Sequence, residues 1–168
     1  MKNTVLKFGS YGLILGAVIF GLALTLGKGL STSAQEIIGY GSMIAALSFV
    51  YFGIKHYRDI VNEGKVSFSK ALLIGLLISA FVGLGVGIMD YLYTTVINPD
   101  FAQDYLKTTL ESYKTMYSGE ELTAKKNELI KQMEDYGSSG FMATLMFFTV
   151  LLIGLIISII SGLILQRK

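Results

Sequence analysis

The chain has 168 residues, 52% of them hydrophobic and 15% charged, with a net charge of +2. Soluble domains carry roughly a quarter charged residues, so this shortage excludes an ordinary water-facing surface, and so small a net charge gives no electrostatic basis for binding nucleic acid. Cysteine and tryptophan are absent and His56 is the single histidine, which excludes disulfides, thiolate chemistry, Cys-ligated zinc and any His-pair metal site.

Crossing about 30 Å of hydrocarbon takes roughly 20 helical residues, and four stretches of the chain meet that requirement. The first, residues 8–27, is free of charge and follows Lys2 and Lys7. A basic start, an apolar run and small residues at Thr32-Ser33-Ala34 also describe a cleavable leader. The run, however, exceeds the usual ~7–15 residues of such a segment, so the span is expected to be retained. The second span is 37–54, introduced by Ser33-Ala-Gln-Glu36, which has the form of a capping box. Asn62-Glu63-Gly64-Lys65 predicts a tight turn, and Ser67 or Ser69 can cap the third span. That span, 71–97, is apolar except for Asp90. The fourth, 141–165, is long enough to require tilt.

Between spans three and four, residues 98–140 are the one sizeable segment outside the apolar runs. Asn98-Pro-Asp100 reads as a helix start. Leu106, Leu110, Tyr113 and Tyr117 recur at helical spacing, and Ser118-Gly-Glu-Glu121 is a second capping box. The pattern predicts a helical hairpin whose first arm is able to run on from span three. The expected fold is therefore all-α: an integral membrane four-helix bundle, one domain over 1–168, with a periplasmic helical hairpin between spans three and four.

Basic residues set the orientation. The N-terminus, the 55–70 connection and the C-terminus with Arg167 and Lys168 together hold eight basic and two acidic residues, against six basic and nine acidic on the other side. Both termini are thus expected in the cytoplasm of a bacterial inner membrane, with 98–140 in the periplasm.

Helix association in a bilayer relies on close packing, which small residues four apart permit. Span one offers Gly12 and Gly16, span two Gly41 with Ala45 and Ser42 with Ala46. Span three has the unbroken series Gly75, Ser79, Gly83 and Gly87, and span four has Gly154, Ser158 and Gly162. Span three is the expected packing centre, and Gly85 beside the series is a candidate hinge.

Asp90 is the one acid inside an apolar run, and an intramembrane carboxylate is by default a candidate functional group. Its position, about 30 Å along the helix from Lys70, places it at the interface, where solvation beside Tyr91 and Tyr93 is expected. Glu36 begins span two at the same membrane face, so Glu36 and Asp90 form the candidate polar site. His56 is expected as an interfacial polar residue. No phosphate loop, nucleophile elbow or metal motif is present.

Several segments carry a resemblance. Glu36-Ile-Ile-Gly-Tyr40 runs into Ser42-Met-Ile, then Ala46-Leu-Ser-Phe49, Phe52-Gly-Ile-Lys55 and Tyr57-Arg-Asp59. Gly64-Lys65, Ser67-Phe-Ser-Lys-Ala71, Gly75 with Leu77-Ile-Ser79, Asn98-Pro-Asp-Phe101 and the ending from Gly154 through Leu165 followed by Arg167-Lys168 complete it. The chain resembles, over essentially its whole length, the four-span family called domain of unknown function 4199, found largely in Bacteroidetes. The resemblance implies an inner-membrane protein of a Gram-negative cell and brings no activity or catalytic residues. Without cofactor or catalytic constellation, the expected role is non-enzymatic, acting by interaction as an accessory or self-associating subunit in the lipid bilayer, with a membrane-protein partner or a second copy. The competing expectation is a small transporter or channel-like protein using Glu36 and Asp90.

Overall fold

The uncharged runs of the sequence become long helices because a backbone in an apolar setting must satisfy its polar groups internally. In the computed structural model, which describes residues 1–167, the order is α1 (Lys2–Leu26), α2 (Thr32–His56), α3 (Phe68–Leu92), α4 (Phe101–Met116), α5 (Gly119–Tyr136) and α6 (Ser139–Leu165). Lys168, one of the basic residues at the C-terminus, and the side chain of Thr32 lie outside the described residues. Two π-helical turns, Tyr57–Val61 and Tyr93–Ile97, extend α2 and α3. Four helical stretches, Lys2–Leu26, Ser33–Val61, Phe68–Ile97 and Ser139–Leu165, are long and apolar enough to cross a membrane. Their outward faces carry Ile14, Val18, Leu22, Ile88, Leu152 and Ile156, each more than half exposed. Such a surface is compatible with a lipid environment, since a soluble bundle reserves such positions for polar side chains.

The helix starts differ in detail from the sequence reading. Ser31, not Ser33, caps α2: it is extended and its hydroxyl accepts from the Ala34 N–H at 3.4 Å. Glu36 therefore sits beyond the position from which a capping box closes. Ser67 caps α3 through the Lys70 N–H, also at 3.4 Å. Ser118 precedes α5 without a side-chain cap bond. Asn98 and Pro99 stand outside α4, which begins at Phe101. Asn98 is non-helical (φ −138°, ψ 76°), so α4 is separated from α3 and does not continue it.

Helix α3 is the centre of the bundle, packing most extensively on α6 and α1, while α2 closes against α1, α3 and α6. The α3–α6 contact is reciprocal. A Cβ built on Gly75 would strike the Ser158 side chain, and one on Gly154 would strike Ser79. Each serine thus fills the space over the opposite glycine. The buried hydroxyls are satisfied inside their own helices: Ser79 donates to the Gly75 carbonyl at 2.8 Å and Ser158 to the Gly154 carbonyl at 2.6 Å. Further along, Gly83 and Gly87 admit the main chain of Phe147 and Ala143, and Gly162 lies against the Phe68 ring. On the other side of α3, Val82 packs over Gly12 and Gly16. Gly85 is not a hinge; it is buried where the Leu13 carbonyl of α1 crosses closely enough that no side chain fits. Gly41 of α2 has nothing within 4 Å and, with Ala45, is exposed, so that small-residue pair lies off the packing face.

At the end of the bundle holding the chain termini, Asn62 through Lys65 turn tightly. Gly64 adopts φ +82°, and the Asn62 amide donates to the Lys65 carbonyl at 2.8 Å. Val66 and Arg167 then exchange backbone hydrogen bonds of 3.0 and 2.8 Å, tying the turn to the end of α6.

Candidate functional site

At the opposite end, α1 finishes at Leu26 and α3 leaves its regular course in the π-helical turn Tyr93–Ile97. Tyr93, the first residue of the turn, faces inward. It is 3% exposed, and its hydroxyl donates to the Leu24 carbonyl at 3.2 Å, satisfying one of the carbonyls that a helix end leaves open. The Tyr93 ring in turn meets Phe101 of α4 edge-on at 5.7 Å. Ser139 at the start of α6 reaches the Thr94 carbonyl at 3.4 Å. Otherwise α4 and α5 pack chiefly on each other, around Thr109 and Leu129. On α5, Lys125 donates to Glu128 at 2.9 Å, and that bond holds its ammonium above the ordinary lysine range.

This arrangement leaves a cleft of about 450 Å³ between α4 and the ends of α1 and α2. Phe20, Ala23, Leu24 and Tyr93 form its apolar wall. Lys28, Gln35 and Asn98 stand at its rim, with Gly29 in a left-handed turn at φ +94° and Gly39 open beside them. From α4 come Phe101, Asp104, Tyr105, Thr108 and Glu111, at the spacing of one helical face, with Lys107 at its edge. Lys28, Lys107, Asp104 and Glu111 make no ion pair among the described residues. The covered side of α4 is largely apolar, with Thr109 buried and Phe101, Leu106, Leu110 and Tyr113 half-buried, as expected of an amphipathic helix; the side lining the cleft mixes aromatic with exposed charged residues.

The sequence-derived site residues differ in their surroundings. Asp90 is only 5% exposed, so it is enclosed by the bundle rather than solvated at an interface, and its Oδ2 has no hydrogen-bond partner among the described residues. Its main-chain carbonyl accepts from the Thr94 hydroxyl at 3.0 Å. Glu36 is exposed, and no hydrogen bond joins it to Asp90 among the described residues. His56 is half-buried with its ring 5.2 Å from that of Phe8. Among the described residues no three His, Asp or Glu side chains cluster as metal ligands.

The sequence reading did not find the cleft because its walls come from α1, α2 and α4, which lie far apart along the chain. One local signal was available: charged residues at 104 and 111 share a helix face with Phe101 and Tyr105.

Comparison with known families settles what kind of chain this is. The family described as "Protein of unknown function (DUF4199)" matches residues 7–167. The chain belongs to this family. No curated protein and no solved structure matches it. Over its described residues the DUF4199 chain thus carries a helical fold with four apolar helices of spanning length, and its family assigns no biochemical role.

Proposed function

We propose that this protein is an integral protein of the bacterial inner membrane, non-enzymatic, which acts by interaction as an accessory or self-associating subunit. Both termini lie in the cytoplasm and the α4–α5 hairpin lies in the periplasm, an orientation supported by the excess of Lys and Arg on the terminal side. The observation that carries the reading is the filled interior. The α3–α6 and α1–α3 seams interlock serine over glycine and valine over glycine, so the centre of the bundle is occupied by side chains. The concave, polar feature lies instead at the hairpin end, where a partner can reach it.

The competing reading, a transporter using Glu36 and Asp90, is favoured by the unpartnered Oδ2 of Asp90. It is weakened by the exposure of Glu36 and by the tight seams through which a path would have to run. Affinity purification of the full chain from native membranes tests the interaction reading. A stoichiometric partner, or a homo-oligomer that survives dilution, is expected; a lone monomer together with ion flux in proteoliposomes would reject it. Sidedness is tested separately, because the chain has no cysteine of its own. Lys125→Cys should react with a membrane-impermeant maleimide in intact spheroplasts and Asn62→Cys should not; the opposite labelling would invert the topology.

A further inference from the structure

We propose that the cleft between α4 and the ends of α1 and α2 binds a zwitterionic phosphoethanolamine headgroup, with the lipid's chains lying along the apolar wall of α1. The inference rests on the membrane reading proposed for the protein. Three observations carry it. First, the wall is graded: the half-buried Ala23 and Leu24, above the enclosed Phe20 at 4% exposure, form its apolar lower part, while the exposed Lys28 and Gln35 stand at its opening. An amphiphile whose apolar part points into the bilayer fits that gradient, and a freely soluble ligand leaves the lower wall unused.

Second, the charges cancel. Lys28 and Lys107 oppose Asp104 and Glu111, and none of the four is neutralised by an ion pair among the described residues. An anionic headgroup entering the cleft would satisfy the two lysines and face two carboxylates with nothing to offset them. A phosphoethanolamine satisfies both sets: its phosphate accepts from the lysines, and its ammonium donates to the carboxylates. Charge-assisted bonds of this kind are the stronger class.

Third, Phe101 and Tyr105 stack at 6.3 Å on the same face of α4 as the two acids. Aromatic faces beside carboxylates suit an ammonium group. The cleft, at about 450 Å³, is also within the ~300–1,000 Å³ range of small-ligand sites.

The test uses the full chain in nanodiscs holding phosphatidylethanolamine and phosphatidylglycerol in equal amounts, followed by transfer to detergent and native mass spectrometry of the retained lipid. One bound phosphatidylethanolamine is expected, preferred about tenfold, which corresponds to 1.4 kcal/mol. The variant Asp104→Asn with Glu111→Gln should reverse the preference toward phosphatidylglycerol. Lys28→Gln with Lys107→Gln should lose retention of both lipids. All four side chains are exposed, and circular dichroism with a thermal midpoint verifies that each variant is folded. Displacement of the lipid by millimolar O-phosphoethanolamine supports the same chemistry and assigns the site to the free compound; retention against it assigns the site to the lipid. Equal retention of the two lipids, or an unchanged preference in the acid-neutralised variant, overturns the proposal. Release of the chain from membranes by carbonate washing without detergent would sink the membrane reading itself and is scored before any lipid is counted.

Discussion

Replacing Gly154 with alanine adds one methyl group at the point where α6 meets α3. That Cβ would overlap both the Oγ and the Cβ of Ser79 and stand 3.2 Å from Leu47 Cδ2. Ser79 and Leu47 are fully buried, so neither has open space to move into. Relief has to come from separating the two helices, which loosens the Gly75–Ser158 contact as well. Overpacking of this kind costs about 1–3 kcal/mol, or roughly 5- to 150-fold in the folding equilibrium. The reciprocal geometry supplies a control. Ser79→Ala keeps the obstructing Cβ and should not rescue Gly154→Ala, whereas Ser79→Gly removes it and should. In a double-mutant cycle the Gly154→Ala and Ser79→Gly changes are expected to couple favourably by about 1 kcal/mol or more. Equilibrium unfolding of the purified protein in detergent micelles measures all of these. A penalty for Gly154→Ala below about 0.5 kcal/mol, or one that Ser79→Ala relieves as well as Ser79→Gly does, refutes the serine-over-glycine account.

Two glycines should respond in opposite ways: Gly85→Ala meets the Leu13 carbonyl and should lower the midpoint strongly, while Gly41→Ala enters open space and should leave it unchanged or raise it. Equal effects would show that the two sites are packed alike. Tyr93→Phe removes the 3.2 Å bond to the Leu24 carbonyl and should cost about 0.5–1.5 kcal/mol in the same unfolding assay; a neutral result would mean that water replaces the hydroxyl. Asp90→Asn preserves the side chain's shape without a charge to bury, so the midpoint should hold or rise. A loss beyond about 1 kcal/mol would reveal a partner that depends on the carboxylate.

The number and approximate limits of the long apolar helices were legible because they depend on a local property. An uncharged run of about twenty residues has few stable settings other than a bilayer-spanning helix, and the structure has helices over all four runs. The small-residue series were legible for the same reason, since spacing four along a helix fixes a shared face. Which faces meet was not. Gly41 and Ala45 show the same spacing as Gly75 and Ser79, yet only the latter pair is covered. The sequence states that a smooth face exists and leaves open which neighbour occupies it.

Polar residues divide along the same line. Counting along α3 placed Asp90 near the end of its span, but how much of its side chain is covered depends on where the neighbouring helices lie, and they enclose it. Glu36 and Asp90 begin and end their helices at the same end of the bundle, yet one faces outward and the other inward. The cleft is wholly a product of tertiary structure, since α4 reaches it only after the chain breaks at Asn98 and brings 101–111 beside the ends of α1 and α2. Hydropathy is a sum over neighbours in the chain, so the sequence alone determined the four apolar helices. Burial and concavity are set by neighbours in space, so only the packed structure decided which residues form a site.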